Sequence, residues 1–490
     1  MRASRIPRQR GFALYLTAIF MMMIIPMIGL SIDATLLYVV KTRLQGAVDG
    51  AALAGAKALS HGTDSPSEKI AAIAAAKTYV KLNFPSSYFF SQDVVVDSTN
   101  GVAIDESVAF QRTVTVTASV LEPTLFMKWL NFASTNVTAT AATVRKDVNI
   151  MMVMDRSGSL SVSGSCAPLI AAAQNFVGQF SPGNDNVGLI TFGSSTFLNF
   201  ALNTTFESAS PNVVSILGSL SCVGSTSTAY SLWMGYQQLI ALNQPGALNV
   251  ILLFTDGDPT GVYVNMPVAN GSSCTAYTPG SPTGPGGYTL PGGAKGYISG
   301  LYNTYTNVNQ FFGLLNPAGT GSGGVQTITN GDINPAANSN NCAYAASWFN
   351  NVTNTSDFTG VPNKDINGNS TNTTYQPVTL NADNMISLTN PNNASAMAYN
   401  AADSAATNIR NGATDAASGK SLSGILIFAI GLGNAAYPFS PTFLERVAND
   451  PRSPIYDSTK PTGLYVYAAT SADLQSAFAA VAGEILRLAR

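Results

Sequence analysis

Residues 147–160 read DVNIMMVMDRSGSL, and this stretch decides the fold. Its mostly apolar part, residues 148–154, is bounded by turn residues, which is typical of a strand buried on both faces in a parallel sheet covered by helices. Three polar residues follow at every second position, namely Asp155, Ser157 and Ser159. They therefore lie at the carboxyl end of the strand, where the loops of an open α/β sheet leave a crevice for ligands.

This polar triplet is suited to binding a metal ion. One carboxylate and two hydroxyls form a hard, oxygen-only ligand set, because no His or Cys stands nearby. Such a set suits Mg²⁺ or Ca²⁺ rather than zinc. The alternative interpretation is that these residues only form turns and cap helices, where Ser, Thr and Asp are common. A lone motif of this kind favours the structural alternative.

Strands alternate with helices through most of the chain after Asp147. Apolar runs predict strands at 187–192, 197–202, 248–254, 425–430 and 464–466, and helical periodicity predicts helices at 167–180, 213–220, 230–242, 394–410 and 472–488. Strands separated by helices imply right-handed crossovers. We therefore predict a doubly wound α/β domain with a mostly parallel sheet, extending over residues 146–490.

The alternation is interrupted at about residues 259–392, where Gly, Asn, Ser, Thr and Pro dominate. A loop of this length without structure of its own is unusual inside a compact domain. We therefore expect an inserted subdomain, a disordered lobe, or both. Aromatic residues within it predict small helices at 297–315 and 342–349.

The N-terminus has the features of a membrane anchor. Residues 1–10 contain four arginines and no acidic residue, and residues 11–32 contain no charged residue at all. The uncharged stretch is long enough to cross a bilayer as a helix, and the arginines should hold the N-terminus in the cytoplasm. We expect a retained, single-pass anchor that contacts the lipid bilayer through residues 11–32. A cleaved signal peptide is the alternative, but no small-residue cleavage site follows the apolar run directly.

A second, smaller domain is predicted between the anchor and the α/β domain, at residues 33–145. Apolar residues recur at three- and four-residue intervals through 37–59, so the anchor helix should continue as an amphipathic helix. Its apolar stripe consists increasingly of Ala and Gly, which allows another helix to approach closely. We favour packing against its own domain over self-association in a filament. Strands predicted at 94–96 and 113–120 complete a small α+β domain.

The N-terminal motifs resemble a known family. Residues 10–13 read RGFA, residues 29–33 read GLSID, and residues 44–56 read LQGAVDGAALAGA. In this order, around an apolar helix, they resemble the N-terminus of TadE/TadG-like proteins of Tad pilus assembly. The resemblance implies pilus or secretion components as partners and a place in the bacterial inner membrane. Processed members carry Glu five residues after the cleavage-site Gly, whereas Leu16 stands at that distance from Gly11, which argues against processing there.

Two further motifs accompany the triplet. Residues 224–227 read GSTS before a predicted helix, and residues 254–257 read FTDG at the end of a predicted strand. The three motifs in this order resemble the metal-ion-dependent adhesion site of von Willebrand factor type A domains. The resemblance implies that the hydroxyls bind the metal directly and that the carboxylates bind directly or through water. The implied ligands are Asp155, Ser157, Ser159, Thr226 and Asp256.

The expected ion is Mg²⁺, with Ca²⁺ or Mn²⁺ as alternatives. Mg²⁺ takes about six oxygen ligands and gives up water reluctantly, so a site with few carboxylates leaves it electrophilic. Its open position can accept a carboxylate from a partner protein. We therefore predict a membrane-anchored, Mg²⁺-dependent protein-binding or adhesion component of a Tad-like pilus or secretion apparatus. The alternative is a structural, pseudopilin-like or surface interaction protein whose metal has only a structural role.

Catalysis and nucleic-acid binding are not expected. The only histidine, His61, lies in the membrane-proximal segment, so a Ser-His-Asp triad would have to cross between domains. Asp258 is the only extra carboxylate near the predicted metal, where hydrolysis usually needs a general base. We predict no catalytic residue. The net charge of −2 gives no reason to expect nucleic acid as a partner.

Four cysteines, none in a C-x-x-C pair, argue against a zinc or redox motif. If the bulk of the chain lies outside the cytosol, disulfides become possible. We expect Cys166 to pair with Cys222 and Cys274 with Cys342, which is one of three possible connectivities. Four unpaired, buried thiols are the alternative.

Overall fold

The computed structural model describes residues 10–59, 65–193, 196–224, 226–267, 295–303, 308–311, 363–380, 384, 386, 393–433 and 440–490. The chain divides into two compact units. The first contains Met1–Arg145 together with Arg490, and the second contains Lys146–Ala489.

The first unit combines two helices with a three-stranded sheet, ordered β1-β2-β3. Its elements are α1 (Arg10–Ala58), α2 (Ser65–Asn83), β1 (Val102–Asp105), β2 (Gln111–Pro123) and β3 (Ser134–Lys146). Helix α1 runs without a break through both the uncharged stretch and the amphipathic stretch, as predicted, with Pro26 inside it. Its N-terminal part is apolar and long enough to cross a membrane.

The two halves of α1 differ in burial. The apolar side chains of the first half are exposed, from 40% at Ile32 to 80% at Met22. In the second half, the stripe of small and apolar side chains packs against α2 and the sheet, with Ala51, Ala52 and Ala56 fully buried. The prediction that this stripe packs against its own domain is confirmed.

The sheet of the first unit differs from the prediction at one place. The strand predicted at 113–120 is confirmed as part of β2, but the one predicted at 94–96 is wrong, since Val95 forms only a single bridge with Ser119. The chain turns immediately afterwards, where the Asp97 carboxylate accepts hydrogen bonds from the backbone N–H groups of Thr99 and Asn100. This turn ends the pairing.

The second unit is built on a six-stranded sheet with the order β12-β11-β7-β4-β5-β6. Strand β6 is antiparallel to β5, and the other neighbours are parallel. These strands are β4 (Val148–Asp155), β5 (Asn186–Phe192), β6 (Thr196–Asn203), β7 (Leu248–Thr255), β11 (Leu426–Leu432) and β12 (Tyr465–Ala468). The predicted mostly parallel sheet is confirmed, and β4 is buried along its whole length.

Helices cover both faces of this sheet. They are α3 (Gly158–Val162), α4 (Cys166–Val177), α5 (Val213–Gly218), α6 (Thr228–Leu242), α7 (Asn393–Arg410), α8 (Pro441–Ala448) and α9 (Leu474–Leu488). Side chains of β4 alternate between the two cores, as a strand requires. Met151 and Val153 pack with α6, α7 and α8, whereas Ile150, Met152 and Met154 pack with α4 and α9. Residues 148–154 therefore organise both layers.

The segment predicted as an insertion contributes to the domain core at both ends. Val262 and Tyr263 are buried in the core beside α6, and Tyr375 and Leu380 pack against the same core. The helix predicted at 297–315 is wrong. In its place β9 (Lys295–Asn303) pairs with β8 (Tyr263–Pro267) and β10 (Val308–Phe311), because Tyr and Ile suit strands at least as well as helices. The helix predicted at 342–349 lies outside the described residues.

Candidate metal centre

The candidate site lies where two neighbouring parallel strands end. Strand β4 ends at Asp155, and β7 ends one residue before Asp256. The two strands are paired in register, with Met154 opposite Phe254. Their carboxyl ends therefore meet at the same edge of the sheet, and this places the first and third motifs side by side although about a hundred residues separate them.

Three of the predicted ligands meet at one carboxylate oxygen. The Ser159 hydroxyl donates to Asp256 Oδ1 at 2.7 Å, and the Ser157 hydroxyl lies 3.2 Å from the same oxygen. The two hydroxyl oxygens are 2.9 Å apart. These oxygens converge on one point at the sheet edge.

Asp155 is held beside this group by two hydrogen bonds. Its Oδ1 accepts from the backbone N–H of Ser157 at 2.7 Å, and its Oδ2 accepts from the Thr255 hydroxyl at 2.6 Å. Thr255 is a site residue that the sequence analysis missed. Its position could have indicated this role, because Thr255 stands between the end of the predicted strand and the acidic residue of the third motif.

Both acidic residues of the site are buried. Asp155 and Asp256 are 1% and 0% exposed. Burial, and after it the nearby Asp256 carboxylate, raises the pKa of Asp155 above its ordinary value, although hydrogen bonds from Thr255 and Ser157 oppose the rise. Two buried carboxylates without a cation between them are costly. A divalent cation bound to both would remove that cost, so the donor set fits the predicted Mg²⁺.

Hydroxyl groups have to complete such a site. Within the described part of the chain, no group of three or more His, Cys, Asp or Glu side chains could hold a metal ion. The cluster offers two carboxylates, from Asp155 and Asp256, and the remaining predicted ligands are neutral hydroxyls. Two carboxylates match the formal charge of one divalent cation.

Thr226, the fifth predicted ligand, is buried, and its loop is held by hydrogen bonds to the first motif and to the residues that follow the third. The loop's Gly224 carbonyl accepts from Gly158 N at 2.9 Å. On the other side, the Thr226 N–H donates to the Thr260 hydroxyl at 2.9 Å, and the Thr226 carbonyl accepts from Gly261 N at 2.9 Å. The structure therefore brings four of the five predicted residues into one hydrogen-bonded cluster and places the loop of the fifth beside it.

Two features support this loop. A Cβ atom at Gly261 would clash with the Ser227 hydroxyl, so glycine allows this close approach without a shift of Ser227. Cys166 and Cys222 form a disulfide with Cα atoms 6.0 Å apart, which confirms that expected pairing and ties α4 to the start of the loop. The other expected pair, Cys274 with Cys342, lies outside the described residues.

Comparison with known proteins gives two family matches. Residues 11–58 match a family described as putative Flp pilus-assembly TadE/G-like, and residues 149–275 match the von Willebrand factor type A domain. The second match contains all five predicted ligands.

Curated relatives match only over a part of their lengths. The calcium-activated chloride channel regulator 3A-1 of Mus musculus is 27% identical over 114 residues, which cover 23% of this chain and 12% of that protein. The uncharacterized protein YfbK of Escherichia coli is 30% identical over 110 residues, which cover 22% of this chain and 19% of YfbK.

Solved structures of similar proteins include two from bacterial pili. The von Willebrand factor domain of the type V pili tip protein Mfa5 from Porphyromonas gingivalis shares 15% identity, covers 71% of this chain and 98% of its own, and has a TM-score of 0.36. The PilB minor pilin from Streptococcus sanguinis shares 12% identity over 83% of this chain and 81% of its own, with a TM-score of 0.34. At these scores the structural similarity supports no inference about function. The two family matches show that this chain carries a Tad-like TadE/G region at its N-terminus and a von Willebrand factor type A domain after it.

Proposed function

We propose that this protein is a membrane-anchored, non-enzymatic component of a Tad-like pilus or secretion apparatus, and that its type A domain binds a partner protein through Mg²⁺. The observation that carries the proposal is the convergence of the Ser157 and Ser159 hydroxyls on the Asp256 carboxylate, beside the buried Asp155. Thr226 is the proposed fifth ligand.

The chemistry of these ligands supports a role in binding. Two carboxylates and three neutral hydroxyls supply fewer ligands than the about six oxygens that Mg²⁺ takes. A position left to water can be filled by an acidic side chain of a partner, which gives a charge-assisted contact. Ca²⁺ or Mn²⁺ would use the same oxygens.

The first unit supports attachment to a membrane. The exposed, apolar first half of α1 suits lipid, and the arginines of residues 1–10 favour a cytoplasmic N-terminus. We place the type A domain on the far side of the inner membrane. The Cys166–Cys222 disulfide agrees with this placement, because disulfides persist in oxidising compartments.

Metal binding can be tested by calorimetry. The full chain, solubilised in detergent and stripped with a chelator, should take up Mg²⁺, and the Asp155→Ala variant should not. Asp457→Asn is a matched control, since Asp457 is an exposed carboxylate of the same unit. No uptake by the parent, or equal uptake by Asp155→Ala, would contradict the proposal.

The alternative, a purely structural metal, is favoured by the burial of both carboxylates. Mn²⁺ bound in place of Mg²⁺ distinguishes the two roles, because water exchanging at an open coordination position speeds the relaxation of bulk water protons. Enhanced relaxation that disappears in Asp155→Ala supports a site open to a partner. Bound Mn²⁺ without enhancement supports a closed, structural site.

A further inference from the structure

The connection between β2 and β3 exposes large apolar side chains. Residues 124–133 read TLFMKWLNFA and contain a short helical turn, Met127–Leu130. Trp129 is 83% exposed, Leu130 63% and Phe132 61%. Apolar side chains clustered at the surface in this way mark an interaction surface.

This connection packs on α1 within its apolar first half. The Phe126 ring lies directly on Gly29, where an added Cβ atom would come within 2.6 Å of the ring carbons. The connection and α1 together form a groove of about 360 Å³, which is lined in part by Pro26, Trp129 and Leu130. Helix α1 rises about 1.5 Å per residue, so Gly29 and Pro26 lie about 4.5 and about 9 Å along its axis from residue 32. Both contacts are therefore inside the uncharged stretch that ends at that residue.

Asp33 fixes the connection to the end of that stretch. Its carboxylate, 1% exposed, accepts hydrogen bonds from the backbone N–H groups of Leu125, Phe126 and Met127 at 2.8, 2.9 and 2.6 Å. Neither the role of Asp33 nor the apolar surface of residues 125–132 was predicted from the sequence.

The backbone of the connection is suited to a non-aqueous setting. Besides the three N–H groups bound by Asp33, the N–H of Trp129 donates to the Phe126 carbonyl at 3.1 Å, and the N–H of Phe132 donates to the Met127 carbonyl at 3.1 Å. Backbone groups that enter a bilayer must be satisfied within the protein, because lipid tails offer no partners. Trp beside Lys, as in Lys128 and Trp129, is typical of the membrane interface.

We infer that residues 125–132 insert into the bilayer beside the anchor helix and form a second membrane contact of the first unit. The inference rests on the proposed anchor, because the lipid that covers α1 is continuous with the lipid that would cover this connection. A single apolar helix can tilt and rotate in the bilayer. A second contact with the membrane, beside α1, would restrict both its tilt and its rotation.

Quenching of tryptophan fluorescence by lipid tests the inference. The full chain is reconstituted into phosphatidylcholine vesicles with and without lipids brominated in their acyl chains. All variants carry Trp348→Phe, so that only Trp129 and Trp233 emit. Quenching should then be strong with both tryptophans present and in Trp233→Phe, because Trp233 is 2% exposed inside the second unit, and it should be lost in Trp129→Phe. Trp129→Phe is conservative at a largely exposed position, so the fold should persist.

Failure of this inference can be distinguished from failure of the proposed anchor. A protein that alkaline washing removes from the vesicles contradicts the proposed anchor itself. A protein that resists washing but shows equal quenching in the parent and in Trp129→Phe overturns only the second membrane contact. Equal quenching combined with Trp129-dependent crosslinking between chains would assign the surface to a second copy instead.

Discussion

The side chains of Asp33 and Asp155 are both almost closed to solvent, and the pKa values of the two carboxyls shift in opposite directions. Each is 1% exposed. Burial raises the pKa of both carboxyls, but at Asp33 three backbone N–H groups outweigh burial and lower the pKa. At Asp155 the neighbouring carboxylate of Asp256 adds to burial and raises the pKa. Asp155 also lies deeper in its domain than Asp33, so depth of burial and partners together decide the direction of the shift.

We expect this difference to separate a structural carboxylate, that of Asp33, from the proposed metal ligand Asp155. The hydrogen bonds of Asp33 satisfy its charge within the protein, so this residue needs nothing further and holds two segments together. Asp155 instead faces a second buried carboxylate, that of Asp256, and the proposed Mg²⁺ would stabilise this pair.

The largest effect is expected from Asp256→Asn. Losing one anionic ligand should lower Mg²⁺ affinity about 100-fold or more, which is about 2.8 kcal/mol. In the chelator-treated protein the same change removes a like charge facing Asp155, so stability without metal should rise. Thermal unfolding with and without Mg²⁺ measures both effects. A variant that is destabilised without metal would show that the two carboxylates do not oppose each other.

Asp33→Ala should act on stability alone. The change leaves three backbone N–H groups without their carboxylate, and a buried donor left unpaired costs about 1–3 kcal/mol. We expect the first unit to lose about 2 kcal/mol or more, with Mg²⁺ uptake unchanged. Chemical unfolding in detergent micelles, followed by limited proteolysis at residues 124–133, measures the loss. Asp49→Ala on the exposed face of α1 is the control, and an equal loss there would remove the special role of Asp33.

Thr255→Val tests the orientation of Asp155. Valine keeps the shape of threonine but removes the hydroxyl that donates to Asp155 Oδ2. Residues that orient a metal ligand typically contribute about tenfold in affinity, so Mg²⁺ binding should weaken by about that factor. Thr255→Ser should restore it, because the donor returns. Unchanged calorimetric affinity in Thr255→Val would mean that Asp155 is positioned without this hydrogen bond.

The cluster at Asp256 could be predicted from the sequence because neighbouring parallel strands end at one edge of the sheet. A mostly apolar run at 148–154 identified the central strand, and each motif followed a strand or preceded a helix. The contacts of Asp33 could not be predicted. Its partners, at residues 125–127, lie more than ninety residues away, and backbone N–H groups leave no trace in side-chain patterns.

Local patterns failed where tertiary pairing decided the structure. Residues 297–303 carry Tyr and Ile, which suit a helix or a strand, and pairing with β8 made them a strand. Val95 stands in a short apolar run, yet the Asp97 turn limits it to one bridge. A distant strand decided the first case and a polar turn the second. Hydrophobic periodicity indicates neither kind of partner.

The smallest effect is expected from acid. Because the pKa of Asp33 is lowered from its ordinary value of 3.8, the stability it contributes is fully present above that value and is lost as the pH falls through the lower, folded pKa. Trp129 emission, followed from about pH 5 to about pH 2, should report release of the connection from Asp33. The acid transition should be absent in Asp33→Asn, whose amide does not titrate in this range. A transition identical in parent and variant would assign the acid response to another group and leave Asp33 without the charge-dependent role that distinguishes it from Asp155.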